Sequence, residues 1–278
     1  MAYFFSELIS HAPLILALLF SGALVGVLAG LFGVGGGAIS VPVFFEVYRI
    51  IGISDDIAMP LAVGTSLALI VPTSLLSAHQ HRRKGTLDSG VLKVWWLPIL
   101  VGVAVGTGMA RFASPALFQG VFIVIATMLA CKLLFSKVKW QWQDSLPGTA
   151  LMSLYGVILG LSSSLMGIGG GALSNTLLTA HGMSMIRAVS TSAGVGLLIA
   201  VPGAIGYAIA GWGKPGLPFD ALGYVSILTV VLTLPTTLLT TKIGVRLAHA
   251  MQAKTLTRLF GCFLLLVVFR FCLELFFQ

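Results

Sequence analysis

The sequence predicts an all-α polytopic membrane protein, a duplicated unit built as two inverted repeats of five hydrophobic elements, with eight to ten spans, some short or broken. Three observations carry that expectation: composition, the lengths of the apolar runs, and an internal repeat. Of 278 residues, 58% are hydrophobic and only 9% charged, and the mean hydropathy is +1.05. A soluble domain carries roughly 25% charged residues, and a chain this poor in charge cannot cover its surface with water-compatible groups. A soluble enzyme, a disordered chain and a disulfide scaffold are excluded.

Apolar runs cover 13–31, 38–53, 57–78, 91–110, 116–135, 148–168, 172–181, 188–210, 221–241 and 256–277. Most approach the 20 or so residues that a membrane helix needs. The flank before the first run, MAYFFSELISH, has no Lys or Arg, and a glycine cluster follows the run. The first element is therefore expected to be a membrane segment and not a cleaved signal peptide. Polar punctuation separates the runs: Asp55-Asp56, HQHRRKG at 79–85, SKVKWQWQD at 136–144, GWGKPGLPFD at 211–220, and a basic stretch from Lys242 to Arg258. The seventh element, about eleven residues, would rise about 16 Å as a helix, short of the roughly 30 Å hydrocarbon core. It is expected to be a partial helix, continued by irregular backbone that must be buried or line a watery cavity.

The repeat is the most informative feature. Gly30-Leu-Phe-Gly-Val-Gly-Gly-Gly-Ala-Ile-Ser40 recurs as Ser164-Leu-Met-Gly-Ile-Gly-Gly-Gly-Ala-Leu-Ser174. Met59-Pro-Leu-Ala-Val-Gly-Thr-Ser66 recurs as Met185-Ile-Arg-Ala-Val-Ser-Thr-Ser192. The expected division is a first transmembrane repeat at 1–139, a cytoplasmic linker at 140–146 and a second repeat at 147–278. An odd number of crossings per repeat inverts the second against the first. Basic residues arbitrate, since cytoplasmic loops are rich in Lys and Arg. Ten crossings with the N-terminus outside put twelve basic residues inside and four outside, whereas four crossings per half give nine against seven. The inverted arrangement is the expectation.

Candidate chemistry centres on Gly33, Gly35, Gly36 and Gly37 and on Gly167, Gly169, Gly170 and Gly171. Such runs weaken a helix by roughly 1 kcal/mol per glycine relative to alanine and permit positive φ and close approach. A turn of this kind that opens into a helix aims several unpaired N–H groups at one place, where the helix dipole favours an anion. Two such ends from inverted halves could hold an anion near the membrane midplane without a buried Lys or Arg. Gly22, Gly26 and Gly30, at four-residue spacing, instead fit close helix packing. Hydroxyls recur beside the clusters: Ser40 and Ser174, Thr65-Ser66 and Thr191-Ser192, with Asn175 in the second half. They can donate to an oxyanion, or bond back to a helical carbonyl when the site is empty. Ser162-Ser-Ser164 is a weaker polar patch.

The remaining polar residues exclude more than they suggest. All eight acidic residues lie near segment ends or in loops, so no mid-membrane carboxylate relay is evident. His79, His81 and His181 are expected to be solvated. Cys131, Cys262 and Cys272 sit in apolar runs and have no metal-ligand spacing. No metal, no cofactor and no catalytic residue is expected. The net charge of +8 lies in short loops and reads as a topology signal, not as a nucleic-acid footprint. The expected partners are the lipid bilayer and a small anionic substrate. The residues leave the oligomeric state open, a homodimer included.

Together, the doubled GLFGVGGG-type motif, the A-V-x-T-S element, the H-x-H-R-R-K-G loop and some 280 very hydrophobic residues resemble the sulfite exporter TauE/SafE family, also called the toluene-sulfonate uptake permeases. That resemblance implies transport, often outward, of a small sulfur-containing oxyanion such as sulfite or an organosulfonate across a bacterial inner membrane, in a multi-pass plasma-membrane protein. Arg187, where the first repeat has Leu61, departs from the repeat. A passive anion channel shares the pore chemistry, and a membrane-embedded enzyme would need a convergent acid, base and nucleophile that no spacing supplies.

Overall fold

The computed structural model describes the backbone of residues 2–32, 36–135 and 145–277, and their side chains apart from those at 2–14, 32, 249, 253, 254, 276 and 277. Ten helices follow one another: α1 (Ala2–Phe32), α2 (Gly37–Ile50), α3 (Asp55–Arg83), α4 (Ser89–Ala110), α5 (Pro115–Phe135), α6 (Thr149–Met166), α7 (Gly171–Ala180), α8 (Met185–Ala210), α9 (Ile227–Ala250) and α10 (Ala253–Phe277). They coincide with the ten apolar runs. Seven of them, among the described residues, are long and apolar enough to cross a membrane. The chain is an all-helical, multi-pass membrane protein.

The helix starts have local causes. Asp88 accepts hydrogen bonds from the N–H groups of Gly90 and Val91 at 2.9 and 3.2 Å, and so begins α4. Ser226 accepts from Thr229 N at 3.1 Å and begins α9. Such caps satisfy donors that the first turn of a helix leaves orphaned. The helices α2 and α7 begin differently, each after a glycine in the left-handed region.

Chain directions follow from small residues pressed against neighbouring helices. Gly22 lies on Thr233 and Thr236, Gly26 on Thr237 and Thr240, and Gly30 on Thr241 and Val245, so α1 and α9 run parallel. Gly102 meets Val157 and Leu161, Gly156 meets Pro98, and Gly160 meets Ile99 and Val103, so α4 and α6 also run parallel. The central pair α3 and α8 is antiparallel: Gly64 lies on Tyr207, Gly203 on Leu67, and Gly196 on Ser74. The outer pair α5 and α10 is antiparallel as well, with Gln119 beside Glu274 and Leu134 beside Gly261. Each half thus lends its first helix to the fourth helix of the other. The glycine stripe at 22, 26 and 30 packs helices, as its spacing predicts.

These directions place the chain ends of α3 and α9 and the starts of α8 and α10 on one face, which carries Arg82, Arg83, Lys84, Arg187, Lys242, Arg246 and Arg258. It is called the basic face below. The opposite face holds the start of α3, the end of α10 and the 211–226 loop. That loop folds back onto α8, where Tyr224 N donates to the Tyr207 carbonyl at 3.1 Å. Burial pushes the Tyr224 phenol up, with Arg111 opposing. The short helices α2 and α7, about 21 and 15 Å long, each start at mid-depth. From there α2 runs to the opposite face and α7 to the basic face.

Candidate functional site

Two backbone turns build the site, one between α1 and α2 and one between α6 and α7. Gly36 has φ +83° and Gly170 has φ +66°, and each is the residue before its short helix. A residue with a Cβ meets the carbonyl oxygen in this region, so only glycine starts α2 and α7 in this way without strain. The turns meet. A methyl group on Gly37 would sit 2.8 Å from the carbonyl oxygen of Gly167 and 2.8 Å from Ile168 Cα. Gly169 lies against Ile70 of α3, and Gly171 opens α7. Gly33 and Gly35 lie outside the described residues.

The predicted hydroxyls fall into matched pairs. Ser40 and Ser66 share a hydrogen bond of 2.6 Å, and Ser66 donates to the Gly167 carbonyl at 2.8 Å. Ser174 donates to Ser192 at 2.9 Å and to the Gly170 carbonyl at 2.7 Å. Both pairs are buried and fasten a short helix to α3 or to α8. Thr65 accepts from Ser226 N at 3.0 Å, and Thr191 accepts from Asp88 N at 3.0 Å. These threonines tie α3 and α8 to the starting residues of α9 and α4, and neither lines the two cavities beside the turns. The sequence offered no sign of that role, since the partners lie 161 and 103 positions away.

Beside the turns lie two half-open cavities. One, about 360 Å³, reaches Gly169, Gly171, Asn175 and Ser192 and has an apolar wall that includes Leu133 and Phe260. The other, about 320 Å³, reaches Gly36 and Ser40 and is walled by α1 and α9. They share Ile70, Thr73 and Ser77 of α3. Neither is lined by a charged side chain among the described residues. Both lie on the basic-face side of the turns, while toward the opposite face Met59, Thr65, Ser66 and Tyr48 are fully packed.

Two buried polar atoms near the second turn have no hydrogen-bond partner among the described residues: Asn175 Oδ1 and Ser163 Oγ. A buried acceptor or hydroxyl left unmade costs about 1–3 kcal/mol, so such atoms mark places that another group can complete. Asn175 lines the larger cavity. Ser163 Oγ lies beneath Gly170, 3.2 Å from where a Cβ would stand. The first half has Ala29 and Val41 at the matching positions of the repeat.

Other polar residues lie elsewhere. Arg187 pairs with Asp88 at 2.7 Å on the basic face and lines neither cavity. Ser190 bonds both His81 Nδ1 at 2.9 Å and Thr86 at 2.8 Å, joining the end of α3 to the start of α8. His181 is buried, contrary to the solvated position expected from its loop-like surroundings. Its Nδ1 lies 2.9 Å from the Leu177 carbonyl, and its ring lies 5.6 Å from that of Tyr155. It ends α7 on the basic-face side, where Tyr155 of α6 covers it.

Residues 18–271 match the sulfite exporter TauE/SafE family. A probable membrane transporter protein of Haemophilus influenzae is 32% identical over 262 residues, covering 94% of this chain and 98% of that one. A probable membrane transporter protein of Methanocaldococcus jannaschii is 28% identical, covering 86% and 88%. One from Bacillus subtilis is 23% identical, covering 88% and 93%. No solved structure matches the chain. A match over nearly the whole length, to the family and to full-length relatives alike, leads to one conclusion: the chain is a membrane transporter belonging to the sulfite exporter TauE/SafE family.

Proposed function

We propose that this transporter is a secondary carrier that exports a small sulfur-containing oxyanion, sulfite or an organosulfonate, across the bacterial inner membrane. The anion is held where the two glycine turns meet. Donors come from the backbone N–H groups at the starts of α2 and α7 and from nearby hydroxyls, with the Asn175 amide in the second half. The observation that carries the reading is that the two glycine turns touch, Gly37 against Gly167, and that each opens into a helix start beside a cavity with no charged side chain among the described residues. Helix N-termini attract anions, and discontinuous helices near the midplane are how many carriers build such sites. The cavities lie on the basic face, the inner one by the positive-inside rule, where an exported anion would load.

The reading includes a duplication into inverted repeats, 1–139 and 147–278. Its support is the matched set of glycine turns, serine pairs and threonine ties, together with the opposite directions of α1 and α6. The moving bodies are then not the two sequence halves. Because α1 is packed along α9, and α4 along α6, rocking about the site carries helix sets drawn from both halves past the central α3–α8 pair.

Proteoliposomes test this. Saturable flux of sulfite, sulfoacetate or taurine with counterflow is the expected result, and Gly170→Leu in a folded, monodisperse protein should abolish it. Flux without saturation or counterflow would make the protein a channel. Wild-type flux in Gly36→Leu and Gly170→Leu would remove the site.

A further inference from the structure

The face opposite the basic loops carries an ion-pair cluster that the sequence did not reveal and that the anion site does not use. Arg49, at the end of α2, pairs with Asp55 of α3 at 2.9 Å and with Glu274 of α10. Arg270 of α10 reaches Glu274 at 2.9 Å and Glu46 of α2 at 3.0 Å. Gln119 of α5 donates to the second oxygen of Glu274 at 3.1 Å. The Glu274 side chain is only 5% exposed. Aromatic rings pack beside the cluster: Phe271 meets Phe45 edge-on at 5.9 Å and Phe122 at 5.1 Å, and the Arg49 guanidinium lies over Phe45. Five charged groups and one amide thus clamp the outer end of α2 to α3, α5 and α10.

The same helix bears Gly36 at its other end. The way from the first glycine turn to this face runs along α2, whose Phe44, Phe45 and Tyr48 are buried. No ion pair to the end of α7 is found among the described residues. That helix finishes at His181 against Tyr155, and it is on that side that the cavities open. An intramembrane carboxylate is costly unless paired and is commonly part of the working machinery. Removing one partner of a buried pair exposes that cost.

We propose that the Arg49–Glu274–Arg270 cluster is the gate on the face opposite the basic loops, and that it holds the resting carrier open toward the basic face. Arg49 and Glu274 act as positioning residues: they fix α2, and through it the first glycine turn, without touching the anion. The proposal rests on the alternating-access part of the proposed function but on no particular anion or anion site.

Cysteine labelling reads it without substrate. In a full-length chain with Cys131, Cys262 and Cys272 replaced by Ala, one reporter is Thr229→Cys, behind Tyr48 on the gated side, and the other is Ser77→Cys, in the wall shared by the two cavities. In Glu274→Gln and in Arg49→Gln, an impermeant maleimide should label position 229 at least tenfold faster from the gated face and position 77 several-fold more slowly. Arg49→Lys, which keeps a cation between Asp55 and Glu274, should leave both rates near their wild-type values. If Glu274→Gln does not fold, Asp55→Asn, which removes a partly exposed partner of Arg49, carries the same test with a smaller shift. Unchanged labelling at 229 in folded protein overturns the gate. Faster labelling at both positions overturns it too, since general loosening is a structural effect. Anion flux failing in the wild type while the labelling responds as stated would sink the anion assignment and leave the gate standing.

Discussion

The two glycine turns share a skeleton and differ in what they leave unfinished. In both, a left-handed glycine starts a short helix, a serine pair fastens that helix, and a threonine anchors the neighbouring helix start. At the first turn the described residues in the matching places are apolar: Val41 is fully buried and packs on Gly167, and Ala29 lies under Gly36. At the second, Asn175 and Ser163 stand in those places with orphaned polar atoms. What the halves share holds the turns in shape. What they do not share, Asn175 and Ser163, is where the proposed site gains side-chain donors, an amide N–H and a hydroxyl. The orphaned Asn175 Oδ1 is itself an acceptor and cannot meet an oxyanion.

The largest expected effect breaks the shared skeleton. A Cβ on Gly170 would collide with Ile199, whereas one on Gly36 would find Ala29 at an ordinary 3.5 Å. Left-handed backbone costs a non-glycine residue about 1–2 kcal/mol at either position. Gly170→Ala should therefore lose flux and melting temperature together, and Gly36→Ala should retain most of both. Equal losses would mean that crowding contributes nothing.

Next comes the difference itself. Asn175→Val, which gives the second turn the first turn's residue, should raise the half-saturation concentration about tenfold, roughly 1.4 kcal/mol, with little change in thermal stability. The reverse change, Val41→Asn, buries an amide against Gly167 and should cost about 1–3 kcal/mol of stability, read as a lower melting temperature. An unchanged half-saturation value in Asn175→Val would make the turns functionally equivalent. Smaller still, Ser40→Ala and Ser174→Ala each remove one hydroxyl of a matched pair and should cost about 1 kcal/mol alike. The smallest effect belongs to Arg187→Leu, which copies the first repeat. Its side chain is 59% exposed, and a surface pair contributes about 0–1 kcal/mol, so flux should stay at the wild-type level.

Much of this is legible in the sequence. Apolar runs marked all ten helices, the long ones because the bilayer sets their length. The glycine clusters marked the breaks before the short ones, because four glycines in five positions cannot continue a helix cheaply. The Gly22–Gly26–Gly30 stripe announced its packing role by spacing alone. What stayed hidden depends on pairing distant in sequence. Arg49 and Glu274 lie 225 positions apart, and each alone reads as an end-of-helix charge. Thr65 and Thr191 look like donors for a ligand until their partners, two backbone N–H groups of other helices, are in place. His181 is buried because α7 ends against Tyr155 of α6, and nothing local to it signals that.

The crossed pairing of α1 with α9 bears on how the protein is made. The glycine face of α1 leaves the ribosome roughly two hundred residues before the threonines that will cover it. At a synthesis rate of about 5–20 residues per second, that strip waits on the order of 10–40 s in the bilayer. Through that interval it is a notch suited to any helix with small residues, from the nascent chain or from a neighbour. A protein wound in this way finishes its first layer last, and the steps of its birth most open to error fall on the glycines that carry no cargo.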